Sequence, residues 1–345
     1  MFAPQYLLFF VSSHINFNII STMLYPLLFE TSLFPIVWGG TRLRQMKGMA
    51  PSCEPVGESW EVSAVPGKES VVANGDQKGK TLAQLVAEYG EELLGKYVHE
   101  KFNGEFPMLV KFIDAESDLS IQVHPNNEQA TERHGCMGKT EMWYVVKADK
   151  DAHLMSGMSR QISPEEYVCR IEDNTITDVL CDYKVSAGDV FFLPAGRVHS
   201  IGKGCFIAEI QQTSDITYRI YDFGRLGLDG KPRELHVEQS KDAVDYSVLE
   251  DYKTSYTPAL NKPVSLVECN YFKTHLLDLT ETVEVPVKVN DSFMIVLCLE
   301  GAGTLTDSNG YSLNLKQGET VLVPASIECI SLIPNELMKV IICKR

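Results

Sequence analysis

The fold of this chain is decided by an eight-residue stretch, GDVFFLPA at residues 188–195. Glycine and aspartate favour a turn, the four apolar residues favour a strand, and proline ends the strand. The stretch GETVLVPA at residues 318–325 matches it without gaps and repeats the same order of turn, strand and turn. A repeated strand unit of this kind predicts two copies of one β-architecture in the chain.

The second copy lacks the metal-binding types of residue that the first copy carries. In the register of the repeat, Cys329 stands at the position of His199. Extending the alignment to the preceding strand puts Ser292 at the position of Glu141. The second copy therefore keeps the strand pattern without the ligands, and the sequence predicts one site per chain, in the first copy.

Four side chains from separate strand-like stretches can close around one divalent metal in that first copy. Gln122 and His124 are two positions apart, and alternate residues of a strand share a face. Glu141 begins one strand-like run, and His199 follows another. Two imidazoles and a carboxylate suit Zn, Mn, Fe or Ni, and an amide oxygen beside them leaves a position for water or substrate. The pattern predicts a catalytic metal centre without selecting the metal.

Three basic residues fall near these ligands in the sequence. Lys139 precedes Glu141 by two positions, so an extended backbone puts it on the same side. Lys111 lies inside an apolar strand-like run, and Arg219 follows the polar stretch 212–215. Cations around a metal in an acidic protein predict an anionic substrate that is held by charge-assisted contacts.

The composition limits the partners of the chain. Its 345 residues exceed one typical domain, and 46 acidic against 31 basic residues give a net charge of −15. Such a surface repels phosphate backbones, so no nucleic-acid partner is expected. Nine scattered cysteines without a C-x-x-C pair favour a reducing cytoplasm. The apolar run at residues 7–11 is too short to span a bilayer, so no membrane partner is expected either.

The pattern of apolar residues predicts a mainly β chain with a few helices. A Thr-x-x-Gln capping box predicts a helix over residues 81–95, and Ser163 followed by proline predicts the start of another. From about residue 106 short apolar runs between turns predict a β-barrel or sandwich with helices packed outside. We predict three regions. Residues 1–22 form an upstream extension, residues 23–260 form the catalytic unit, and residues 261–345 form the degenerate copy.

With these residues identified, the chain resembles the type I mannose-6-phosphate isomerases, in their short bacterial form, from about residue 23 to the C-terminus. The resemblance is strongest in LSIQVHP, GKTEMWY, PAGRVH and QTSDITYR, which lie at residues 119–125, 138–144, 194–199 and 212–219. It implies two cupin-type (jelly-roll) β-barrels, with additional helices packed around the N-terminal catalytic barrel.

The resemblance also implies roles for the residues of the site. One zinc ion per chain is held by four residues: Gln122, His124, Glu141 and His199. The resemblance makes Arg219 the active-site arginine and puts Lys139, Lys111, Ser120 and Asp215 in the lining of the substrate pocket. Our own prediction is that Arg219 and Lys139 are the catalytic cations. The implied substrate is a hexose 6-phosphate, and the implied subunit arrangement is a monomer or a homodimer.

The implied reaction interconverts mannose 6-phosphate and fructose 6-phosphate through an enediol or enediolate. The residues do not single out the proton-carrying base, for which a metal-held water, Lys139 and Asp215 are candidates. Two other functions fit part of the pattern. Two histidines and a carboxylate are also the ligand set of Fe(II) oxygenases, and the basic residues would equally suit a non-enzymatic sugar-phosphate sensor.

Overall fold

The computed structural model describes residues 23–345, and the predicted extension over residues 1–22 lies outside the described residues. The strands are β1 Leu27–Leu28, β2 Ser32–Gly40, β3 Val56–Val62, β4 Met108–Asp114, β5 Ile121–Val123, β6 Glu141–Ala148, β7 His153–Met158, β8 Leu180–Lys184, β9 Val190–Leu193, β10 His199–Ile201, β11 Cys205–Gln212, β12 Tyr218–Tyr221, β13 Lys253–Thr254, β14 Val264–Glu268, β15 Lys273–Leu279, β16 Val283–Pro286, β17 Met294–Asp307, β18 Ser312–Lys316, β19 Thr320–Val323 and β20 Cys329–Lys344. The α-helices are α1 Arg42–Met46, α2 Leu82–Leu94, α3 Lys96–Lys101, α4 Asn127–His134, α5 Pro164–Glu172 and α6 Val237–Ala243. Two 3₁₀ helices cover Ile176–Val179 and Lys288–Asn290.

The predicted helices form where their start signals lie. Thr81 and Gln84 make both hydrogen bonds of the capping box at the start of α2, and Gly95 ends the helix. The hydroxyl of Ser163 accepts a hydrogen bond from the backbone N–H of Glu166, which caps α5. Both caps satisfy backbone donors that the first turn of a helix leaves unpaired.

The strands form three antiparallel sheets. One has the order β13-β9-β6-β11-β4-β3-β2, and a second has the order β12-β5-β10-β7-β8. Apolar side chains of both sheets, among them Trp143 on β6 and Ile201 on β10, meet in one buried cluster, so these two sheets pack face to face. The chain is therefore mainly β, as predicted, and the candidate ligands lie on or directly after strands of the two facing sheets.

The outer faces of these two sheets are also covered. Helix α5 packs on the five-stranded sheet, where Tyr167 and Ile171 contact a cluster that includes Val123 and Ile220. The seven-stranded sheet packs its outer face against α2 and against the third sheet, which contains β1 and β14 to β20. The helices therefore lie around the N-terminal unit, as the sequence predicted.

The third sheet contains the second copy of the repeat, and its register corrects one alignment. Glu141 pairs with Leu193 on β9, and Met294 pairs with Val323 on β19. Because Leu193 and Val323 are equivalent in the repeat, Met294 stands at the position of Glu141, and the prediction of Ser292 was wrong by two residues. A shift of two residues keeps the same face of a strand, so the sequence pattern alone did not reveal it.

The predicted equivalence of Cys329 and His199 agrees with the structure. Cys329 pairs with Pro286 as His199 pairs with Gln122. The second copy thus has methionine, cysteine and proline where the first has glutamate, histidine and glutamine. Its interior is filled by apolar side chains.

Candidate metal centre and active site

The metal centre is built where β5, β6 and β10 come together. Glu141 is the first residue of β6, and His199 is the first residue of β10. Gln122 lies in the middle of β5, directly opposite His199, and His124 follows the end of that strand. Side chains that are 17 to 77 positions away from Gln122 or His124 in the sequence therefore meet at one point.

The three strongest ligands form a compact and buried group. The Nε2 atom of His124 lies 3.5 Å from Oε2 of Glu141, and Nε2 of His199 lies 3.3 Å from Oε1. One ligand atom from each residue lies within 4.8 Å of the other two, and all three side chains are buried. Among residues 23–345 this is the only group of its kind.

Hydrogen bonds fix which nitrogen of each imidazole faces the centre. Nδ1 of His124 lies 2.9 Å from the carbonyl oxygen of Ile216, and Nδ1 of His199 lies 2.8 Å from that of Arg197. A carbonyl oxygen only accepts, so both Nδ1 atoms carry the proton and both Nε2 atoms present a lone pair. Burial lowers the pKa of His124 well below its usual value and that of His199 to about 4, so both rings are neutral at pH 7.

The buried atoms of this group fit a bound cation. Nε2 of His124 and both carboxylate oxygens of Glu141 lack a hydrogen-bond partner within the described part of the chain. Leaving such atoms buried and unpaired costs free energy, and a divalent cation would satisfy all of them at once. Burial raises the pKa of Glu141 in the metal-free protein, and a bound cation favours its ionised form.

A cavity of about 310 Å³ opens beside this group. Its lining contains Ser120, Gln122, Lys111, Lys139, Asp215 and Arg219, so the residues predicted for the substrate pocket meet at one cavity. The ammonium group of Lys139 is buried and lies 3.5 Å from Oε2 of Glu141, on the side of the centre that the sequence predicted. The volume lies within the range of small-molecule sites.

Sequence reasoning missed the buried acidic residue Glu209. Its carboxylate lies 3.0 Å from Nζ of Lys111 and accepts a hydrogen bond of 2.7 Å from the indole N–H of Trp143. Burial opposes its ionisation, but Lys111 and Lys139 outweigh this effect and hold the pKa of Glu209 below its usual range. The signal was present as a single glutamate in the buried strand CFIAEIQQ, β11.

The cavity wall also includes residues that no motif indicated. Glu58 and Trp60 on β3, Lys68 in the following loop, and Arg233 near α6 all line it. They belong to stretches far from the metal ligands in the sequence. Strand pairing brings Glu58 and Trp60 to the site, because Trp60 pairs with Lys111 across β3 and β4.

The fold and the site together define a cupin protein with a buried candidate metal centre of two histidines and a glutamate. Profiles of the phosphomannose isomerase type I catalytic domain and of the mannose-6-phosphate isomerase cupin domain match residues 28–173 and 263–334. The chain belongs to the type I mannose-6-phosphate isomerase family.

Individual relatives extend this match over most of the chain. Mannose-6-phosphate isomerase ManA of Bacillus subtilis is 36% identical over 302 residues, which cover 87% of this chain and 93% of the relative. The mannose-6-phosphate isomerase of Streptococcus mutans is 36% identical over 305 residues, covering 88% and 93%. A crystal structure of the B. subtilis mannose 6-phosphate isomerase superposes with a TM-score of 0.82 at 32% identity, covering 92% of this chain and 99% of that one.

Proposed function

We propose that this chain interconverts mannose 6-phosphate and fructose 6-phosphate at the centre formed by His124, Glu141 and His199. The observation that carries the proposal is the arrangement of buried, unpaired metal-ligand atoms at a cavity lined by cations. Membership of the isomerase family supplies the substrate and the reaction. The chain is thus an aldose–ketose isomerase.

The metal of the site is proposed to be one Zn²⁺ per chain. His124, Glu141 and His199 would hold it, with the amide of Gln122 as the fourth group. Neutral imidazoles and a carboxylate suit zinc, which can expand from four to five ligands when water or substrate adds to the protein groups. When bound, the metal supplies positive charge for the oxygen that becomes negative during the reaction.

The cations of the cavity suit an anionic sugar phosphate. Lys111, Lys139 and Arg219 all line the cavity, where Ser120 and Asp215 add hydrogen-bonding groups. Burial lowers the pKa of Arg219, and the positive charge of the neighbouring Arg233 lowers it further. An anion bound there would relieve the repulsion between the two arginines.

Isomerisation moves a proton between C2 and C1 and creates an enediolate whose oxygen carries negative charge. We assign Arg219 and Lys139 to this oxygen and to the orientation of the sugar. Nη1 of Arg219 donates a 2.9 Å hydrogen bond to the carbonyl oxygen of Glu234, which holds the guanidinium in place. Lys139 is buried, so its charge acts with little screening by water.

Glu209 has a positioning role in this account. It holds Lys111 through an ion pair and Trp143 through a hydrogen bond. The ring of Trp143 in turn contacts that of His199 edge-on, with 5.2 Å between centroids. A single buried carboxylate therefore fixes both a cation of the cavity and a ring that packs on a metal ligand.

The proposed setting of the enzyme is the cytoplasm. All nine cysteines are unpaired, which supports a reducing compartment. Within residues 23–345, no helix combines the length and the apolar character that crossing a bilayer requires.

The decisive assay follows the formation of fructose 6-phosphate from mannose 6-phosphate by the purified chain, before and after treatment with EDTA. We expect turnover that chelation abolishes and added Zn²⁺ restores. Oxygen uptake with iron would instead identify an oxygenase. Tight binding of the sugar phosphate without turnover would identify a sensor.

A further inference from the structure

An ion pair crosses the wall of the cavity between two loops. Nζ of Lys68 lies 3.0 Å from Oδ2 of Asp215, and both side chains line the cavity. About 40% of each side chain remains exposed, so water reaches the pair. An exposed ion pair contributes little to stability, and its two groups are free to exchange partners.

The backbone around Lys68 is well defined. The backbone N–H of Lys68 donates to the carbonyl oxygen of Val65, which closes a turn. Ser63 and Ser70 tie the ends of the loop together through a backbone bond of 2.8 Å and a side-chain bond of 2.9 Å. The ammonium group also lies 4.8 Å from the ring centroid of Trp60, so the loop presents Lys68 to the cavity in a prepared position.

Two other cations of the cavity are held more firmly. Lys111 is buried between Glu209 and Glu58, and Lys139 is buried against Glu141.

Arg233 is similarly committed, because it donates two hydrogen bonds to the buried carboxylate of Asp222. Lys68 therefore differs from Lys111, Lys139 and Arg233 in being half-exposed and paired with a half-exposed carboxylate.

We propose that Lys68 binds the phosphate group of the substrate, and that Asp215 holds its ammonium group in place until the phosphate displaces the carboxylate. This inference rests on the proposed function, since it assigns the phosphate end of the same substrate. A phosphate monoester carries nearly two negative charges and three acceptor oxygens, so it competes well with one carboxylate. Asp215 then acts as a competitor of the phosphate and makes no contact with it.

The test compares Lys68→Met and Asp215→Asn by steady-state kinetics, with inorganic phosphate as a competitive inhibitor. Lys68→Met should raise both the KM for mannose 6-phosphate and the inhibition constant of phosphate about tenfold, as expected for one charged hydrogen bond, with kcat changed less than about twofold. Lys68→Arg should restore most of the loss. Asp215→Asn should lower both constants about two- to threefold, because the competing charge is removed.

A matched control is Lys80→Met, which removes a similarly exposed lysine from its pair with Glu88 and should leave both constants unchanged. Unaltered constants in Lys68→Met would overturn the role of Lys68. Raised constants in Asp215→Asn would overturn the proposed competition between this carboxylate and the phosphate for Lys68.

Failure of this inference is separable from failure of the proposed function. If the wild-type chain isomerises mannose 6-phosphate and Lys68→Met has the same KM and the same inhibition constant for phosphate, only the role of Lys68 is wrong. If the wild-type chain lacks isomerase activity, calorimetric titration with inorganic phosphate still measures the contribution of Lys68. In that case, equal affinity of the wild type and Lys68→Met for inorganic phosphate would overturn the phosphate-binding role of Lys68.

Discussion

Gln122 and His199 lie directly opposite each other on two antiparallel strands, with 3.3 Å between their side-chain Nε2 atoms. Nε2 of His199 is the unprotonated nitrogen of its ring, because Nδ1 faces the carbonyl oxygen of Arg197. In the metal-free protein the amide of Gln122 donates to it. Rotation of the amide by half a turn would present its oxygen to a metal at the same point.

The first prediction concerns this amide. We expect Gln122→Leu to weaken zinc binding about 10- to 100-fold, the range measured for groups that support a metal centre. Competition with a chelator of known affinity measures the change, and Gln161→Leu at an exposed position is the control. Unchanged zinc affinity together with lost activity would move Gln122 from the metal to the substrate.

The second prediction concerns Arg219. If its guanidinium stabilises the enediolate, Arg219→Ala should lower kcat about 100-fold or more, the cost of losing one donor to a developing oxyanion. Steady-state kinetics with mannose 6-phosphate measure the change, and Arg160→Ala, which removes a half-exposed arginine that pairs with Glu166 on α5, serves as control. A nearly wild-type kcat with only KM raised would assign Arg219 to binding alone.

The third prediction concerns the contact between the catalytic unit and the third sheet. Nζ of Lys47 lies 2.7 Å from Oε2 of Glu61 and 2.5 Å from the carbonyl oxygen of Gly318. Both side chains are buried, and removing one partner leaves the other charge uncompensated. Lys47→Met should therefore lower the free energy of unfolding by about 3 kcal/mol in urea titrations. The exposed Lys80→Met should change the free energy of unfolding much less, because an exposed ion pair contributes little to stability. Equal changes in the free energy of unfolding for Lys47→Met and Lys80→Met would contradict a stabilising role of the buried Lys47–Glu61 pair.

The fourth prediction is a dependence of stability on pH. The hydrogen bonds of His153 to Asp118 and Asp182 raise the pKa of His153 to about 9. Because this pKa lies above that of an unfolded histidine, about 6.5, the stabilisation is complete below pH 6.5 and disappears as the pH rises through 9. The difference in unfolding free energy between the wild type and His153→Gln should thus be larger at pH 6 than at pH 10.

A second histidine provides a control of opposite sign. Burial lowers the pKa of His275, so its neutral form is favoured in the folded chain and its contribution is lost as the pH falls. The difference between the wild type and His275→Gln should grow from pH 5 to pH 7. If the difference in unfolding free energy between the wild type and His153→Gln did not depend on pH, Asp118 and Asp182 would not stabilise the charged form of His153.

The sequence predicted local structure well wherever a side chain satisfies the backbone nearby. The capping box at Thr81 and the turn, strand and proline of the repeat gave α2 and β9 with close bounds. Alternation along a strand correctly put Lys139 and Glu141 on one side. Such signals depend on neighbours in the chain, so a single sequence carries them.

Features that depend on pairing between distant strands were less predictable. The register of β17 against β19 was misjudged by two residues, because a shift of two preserves the pattern of buried faces. Glu209 and Lys68 join the site through strand pairing and a loop, and no spacing in the sequence links them to the ligands.

The domain boundary near residue 260 stays a prediction. Residues of β1, close to the start of the described chain, pair with β19 in the C-terminal sheet. The first unit is therefore joined to the second by a strand pair, in addition to the buried apolar contacts.

The most direct test of the account measures bound metal and isomerase activity together in the wild type and in Glu141→Gln, with His99→Ala as a control outside the centre. We predict close to one zinc per chain in the wild type and in the control, with activity that follows the zinc content during chelation and reloading. Glu141→Gln should lose most of both, since Glu141 is the buried carboxylate between the two imidazoles. Full isomerase activity in the metal-free wild type, or in Glu141→Gln, would contradict the account.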